Sequence, residues 1–409
     1  MKAGRPRWWA AGLSLCLLLG LFAAVVVTRE KQRTPDQAPG THPATGRPDR
    51  AQRAALAGDA LRRLERGVRS GSQSDSRPDS QVERVVIDNA RALRVVDFTL
   101  RFRAEEPGAL TEGTGEWAAE VGVTWSFGGV DDGVAESPVS FTFRLQDDHA
   151  VVAGVGGGAR RTPVWLSQPV EVARSPGVLV LTAGQPPARY LPLARRAAGS
   201  VRRVLGDWPG GLVVEVPSTA TALNQALGAR SGEYDDIAAV TTTVDGSLDR
   251  SRPAHVFVNP EVFVPGRAPG AQVVITHEAV HVATGAATAT APLWLVEGFA
   301  DFVALRHVDL PSGQTASAIV SQVRSQGLPE TLPADAEFAT TGERLEASYE
   351  AAWLACRTLA RLGSPDQLTA YYRAVSAGGD PRAELRKIFG TTQASFITAW
   401  RVRLQHLAR

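Results

Sequence analysis

Cysteine, methionine and lysine are almost missing from this 409-residue chain. Its two cysteines are Cys16, in an N-terminal apolar run, and Cys356, in a helical pattern. A disulfide framework is therefore excluded, and the fold must stand on a packed core. Methionine occurs only as Met1 and lysine only as Lys2, Lys31 and Lys387. Arginine carries the positive charge, a bias of gene composition rather than a functional patch. Charge of one sign is also lacking: 44 basic residues meet 42 acidic ones, for a net charge of +2. With no excess to attract a polyanion, nucleic acid is not expected as a partner. The glycines at 154–158 do not open a helix bearing a following Lys-Ser/Thr, which excludes a phosphate-cradling loop.

A hydrophobic content of 44% over this length suits two or three domains, each with its own core. The first seven residues form a basic tip with Lys2, Arg5 and Arg7, and residues 8–27 then run without a charge. About twenty residues at about 1.5 Å each match a bilayer's hydrocarbon core, so 8–27 is expected to be a transmembrane helix that leaves 1–7 cytoplasmic and the rest extracytoplasmic. Cleavage as a signal peptide, followed by secretion, is the alternative. Residues 28–49, spaced by Pro35, Pro39, Pro43 and Pro48, read as a disordered tether. An arginine-rich helix with Leu56, Leu61 and Leu64 follows. From 82 to 158 the apolar period drops towards two, with strands expected near 93–102, 117–127 and 139–145 and turns at Asp131-Asp132-Gly133 and Asp147-Asp148-His149. Residues 50–187 are thus expected to form a small α+β domain, whose helix-then-curved-sheet order resembles NTF2-like domains.

Residues 188–409 are expected to form a second α+β unit. Helix is expected over 191–205, a strand at 212–217, and further strands at 237–244 and 255–258. A helix over 272–284 then carries His277, Glu278 and His281 and stops at Gly285. Its successor, over 293–307, carries Glu297 and Asp301. Later apolar periodicity, including a helix over 344–362 that holds Tyr349, gives a helical C-terminal lobe. Histidines four apart share one helix face, so both imidazoles can reach one cation. Two neutral imidazoles and one carboxylate leave a fourth tetrahedral position for water, and a neighbouring free carboxylate can take that water's proton.

The His277-Glu278-Ala279-Val280-His281 run together with Trp294-Leu295-Val296-Glu297-Gly298-Phe299-Ala300 resembles the gluzincin zinc metallopeptidases of the peptidase MA-like superfamily, including thermolysin and the neutral-zinc aminopeptidases. The resemblance is strong over about 255–305. It implies a zincin-like fold and a peptidase acting on peptide or protein substrates. It also implies one Zn2+ held by His277, His281 and Glu297, with Glu278 as general base. Asp301, one turn after Glu297, would orient a ligand imidazole, with His277 expected. Tyr349 would stabilise the developing oxyanion, and Asn259 and Glu261, after the 255–258 strand, are candidate substrate contacts. One departure stands out. The aminopeptidases' Gly-x-Met-Glu-Asn strand, which captures a free amino terminus, is missing here. A zinc-stabilised envelope binding protein with weak or no catalysis is the rival expectation.

Overall fold

The computed structural model describes residues 48–70, 78–107, 115–206, 208–306, 308, 315–339 and 344–409. The expected tip, membrane span and nearly all of the tether lie outside these residues. Among the described residues, no helix is long and apolar enough to cross a membrane.

Two helices, α1 (Arg50–Ser70) and α2 (Gln81–Leu93), precede a four-stranded antiparallel meander of β1 (Val95–Glu105), β2 (Glu116–Phe127), β3 (Ala135–Gln146) and β4 (His149–Val155). Helix α2 corrects the expectation that period-two patterning begins at 82. Its valines and isoleucine favour strand, but Val86, Ala90 and Leu93 are buried at helical spacing, and Ser80 accepts the Glu83 N–H at its start. Glu83 in turn accepts the N–H groups of Asp79 and Val152, tying α2 to β4. Strand β4 adds to the three strands expected, since the residues after the Asp147-Asp148 turn continue the sheet.

After a short helix, α3 (Val164–Ser167), come β5 (Glu171–Ser175), β6 (Val178–Thr182), α4 (Leu191–Leu205), β7 (Leu212–Val216), α5 (Ala220–Leu227), β8 (Ala239–Thr243) and β9 (Ala254–Val258). These strands form a second sheet in the order β5-β6-β7-β9-β8. Strands β6, β7 and β9 are parallel, and the two edges, β5 and β8, run antiparallel to their neighbours. The sheet therefore crosses the boundary expected at 187, because β6 pairs with β7 from Val178↔Leu212 to Thr182↔Val216. The fold is mixed α+β.

Both faces of this sheet are covered, which is why its strands read as nearly continuous apolar runs. Successive side chains point to opposite faces. Val178, Val180, Val214, Val216, Val256 and Val258 join one core with α4 and the later helices. Leu179, Leu181, Val213, Val240 and Phe257 join the other, with Trp117, Trp125, Trp165 and Phe127 of the first half. Helices α6 (Gly270–Thr284), α7 (Leu293–Ala304), α8 (Ser317–Gln326), α9 (Leu345–Leu362), α10 (Pro365–Ser376), α11 (Pro381–Phe389) and α12 (Gln393–Ala408) complete the chain.

On the face shared with the first half, Glu215 of β7 and His255 of β9 project together. His255 Nδ1 lies 2.6 Å from Glu215 Oε1, and its Nε2 lies 2.9 Å from Asp131 Oδ1 in the β2–β3 turn. Asp131 also accepts the Phe127 N–H at 2.7 Å. Each ring nitrogen faces a carboxylate, so the ring is held as an imidazolium donating from both sides. Burial pushes its pKa down, but the two carboxylates outweigh that and raise it to about 9. The cluster's contribution to stability is fully present below the ordinary histidine value and is lost as pH rises through about 9. Urea midpoints should fall between pH 7 and pH 10. Asp131→Asn should cost about 3–5 kcal/mol at pH 7, the cost of breaking a buried ion pair, and should flatten that alkaline loss.

Candidate metal centre

Helix α6 has no solvent face. Every residue from 273 to 281 is buried, as is every residue from 294 to 301 of α7. Helices of this kind lie inside a core rather than on it. The polar groups they carry must therefore satisfy one another. Helix α6 ends where Gly285 takes a left-handed conformation (φ 62°) and donates its N–H to the His281 and Val282 carbonyls, a termination that glycine allows without strain.

The meeting of α6 and α7 sets the site. His277 Nε2 is 2.8 Å from His281 Nε2 and 3.0 Å from Glu297 Oε2, and His281 Nε2 is 3.3 Å from that same oxygen. On the far side of the ring, His277 Nδ1 donates to Asp301 Oδ1 at 2.7 Å. That bond fixes the His277 tautomer, so its Nε2 presents a lone pair. The lone pair faces a second imidazole nitrogen and a carboxylate oxygen. Burial pushes the Glu297 pKa up, but His281 and His277 facing it bring it down to about 2, so its carboxylate is ionised at neutral pH. Two nitrogens and one anionic oxygen converging in this way could hold a metal ion. Their spacing approaches the edge of about 3.3 Å expected between ligands about 2.0–2.1 Å from a tetrahedral zinc.

Glu278 is fully buried beside His277. Its Oε2 accepts the Thr241 hydroxyl at 2.7 Å, while its Oε1 is buried without a hydrogen-bond partner. Tyr349 of α9 brings its ring centroid to 6.3 Å from that of His277, and Phe338 packs edge-on against the tyrosine at 5.3 Å.

Asn259 and Glu261 are placed differently. The strand before them, β9, runs between β7 and β8, so it offers no free edge; the edge strand beside α6 is β8. Asn259 donates to the Tyr234 and Asp235 carbonyls and accepts the Glu261 N–H. Glu261 accepts the Ala220 N–H at the start of α5. Their bonds hold a loop and a helix end. This corrects the expectation that the strand they follow is the edge strand in front of the site.

Two participants were not singled out in the sequence. Thr241 lies in an ordinary Thr-Thr-Thr strand and gains meaning only from the sheet's register. Gly298 sits inside the motif, and its reason is steric. A Cβ there would lie 2.4 Å from the Ala352 carbonyl oxygen and 3.0 Å from Cys356 Sγ. The missing side chain lets α9 press directly on the turn that carries Glu297. Gly298→Ala should cost about 1–3 kcal/mol, the usual penalty of overpacking, and should lower metal affinity by moving Glu297. Denaturant titration and metal competition on the same protein check both effects.

No family model matches the chain, and no curated protein matches it. Among solved structures it is similar to the M1 zinc metallopeptidase from Deinococcus radiodurans, with 14% identity, covering 76% of this chain and 61% of that one, at a TM-score of 0.36. A variant of that peptidase bound to a Tyr-Ser-Ala substrate aligns at 12% identity over 71% of this chain and 61% of that one, at a TM-score of 0.34. The chain thus spans about three fifths of the length of those it matches.

Proposed function

We propose that this chain is a zinc metallopeptidase that hydrolyses peptide bonds. The observation carrying this reading is the convergence of His277 Nε2, His281 Nε2 and Glu297 Oε2 within 3.3 Å of one another, with Glu278 following His277 on the same buried helix. Bound by these three side chains, zinc supplies a Lewis acid for the scissile carbonyl and makes water acidic enough to lose a proton near neutral pH. Glu278 takes that proton as the water oxygen bonds to the carbonyl carbon. It then returns the proton to the amine nitrogen as the C–N bond breaks, leaving a carboxylic acid and an amine, and the acid's remaining proton passes to the amine to give carboxylate and ammonium. Asp301 keeps the His277 ring oriented, and Tyr349 is assigned to the carbonyl oxygen as charge develops there.

The wider setting belongs to the same proposal. Residues 8–27 would anchor the chain in the cell membrane with the catalytic half outside. Substrate peptides would lie along β8, whose residues Ala239-Val240-Thr241-Thr242-Thr243 include no carboxylate to pair with a free amino terminus.

A second reading has one observation in its favour: His277, Glu278, His281 and Glu297 are each no more than 2% exposed. A metal wrapped this closely could serve folding alone, in an envelope binding protein. Activity separates the two. Wild type and Glu278→Gln should bind equal zinc, and the variant should lose about 10²- to 10⁴-fold in peptide cleavage, the usual contribution of a general base. A zinc-loaded wild type that cleaves nothing in a broad peptide library would leave only the structural reading.

A further inference from the structure

Strand β8 is an edge strand, yet Thr241 within it is only 2% exposed. Ala239 of the same strand joins the core formed with α6, whereas Val240 joins the opposite core. Alternation therefore turns Thr241 toward α6. Both hydrogen-bond acceptors of its hydroxyl belong to Glu278: carboxylate Oε2 at 2.7 Å and the main-chain oxygen at 3.1 Å. Packing alone gives no reason for a hydroxyl here. Valine has nearly the same shape, is equally β-branched and carries no polar atom to bury.

We propose that Thr241 is the positioning residue for Glu278. Glutamate has three side-chain torsions, and a carboxylate that must meet a water proton needs a fixed orientation. The Thr241 hydroxyl holds Oε2 from the sheet side. Oε1, buried and without a partner, is left as the oxygen that receives the proton. The strand across which substrate would extend thereby also sets the base, so strand and base move as one unit. This inference rests on the reading of Glu278 as the base.

The test compares Thr241→Val, Thr241→Ser and Thr241→Ala in the full chain. Thr241→Val should lower kcat about 10- to 100-fold, as expected for one lost hydrogen bond to a charged group, with KM and zinc content unchanged. Thr241→Ser should return kcat to within about threefold of wild type, since it restores the same donor. A second readout needs no activity. With glutamate labelled by 13C at the carboxyl carbon and the Glu278 signal assigned through Glu278→Gln, that signal in metal-free protein should shift in Thr241→Val and coincide with wild type in Thr241→Ser. Thr241→Ala takes the valine variant's place if the latter does not fold. Wild-type kcat in the valine or alanine variant, equal loss in the serine variant, or a loss confined to KM or zinc content would each overturn the proposal. An inactive wild type whose Glu278 signal still follows the hydroxyl would overturn the peptidase reading and leave the Thr241 contact standing.

Discussion

His277 is held at Nδ1 by one turn of a neighbouring helix that also brings a carboxylate to its Nε2, and the candidate metal centre depends on that arrangement. Asp301 takes the Nδ1 proton at 2.7 Å and Glu297 faces Nε2 at 3.0 Å. The two acids lie four residues apart on α7, as the two histidines do on α6. One buried crossing of two helices therefore brings the three candidate ligands together and fixes the His277 tautomer. Gly298, between the acids, lets α9 close over the crossing from the other side. Cys356, which α9 brings there, is fully buried, and burial pushes its thiol well above the ordinary value, so it fills space as a neutral group.

The second sheet divides its work by parity. On one face, β8 turns Thr241 to Glu278, linking the sheet to the helix that carries both histidines. On the other, β7 and β9 turn Glu215 and His255 to Asp131 of the first half. The same alternation that buries valines on both faces thus places a polar connection on each. One connection orients the proposed base, and the other joins the two halves of the chain through a buried imidazolium.

What could be read from the sequence follows from which interactions are local. The spacing of His277 and His281, and of Glu297 and Asp301, is a property of single helices, and so is the stop at Gly285. The approach of α6 to α7 was reached through a resemblance in the motif. Strand order and register were not legible. Asn259 and Glu261 were assigned to a substrate edge because β9 was taken for the edge, a place that β8 holds. Thr241 has no signal in its own neighbourhood, because its partner is 37 residues away. In α2, Val82, Val85, Val86 and Ile87 carry strand propensity, and tertiary packing of a helical face overrides it.

In the proposed function, one metal ion held by His277, His281 and Glu297 makes this chain a peptidase. The most direct measurement is to strip the full chain with a chelator and add zinc back in fractions of an equivalent while following peptide cleavage. Activity should vanish on stripping, return in proportion to added zinc and stop rising at about one zinc per chain. Cleavage that survives stripping, or that stays absent once one equivalent is bound, would contradict the account.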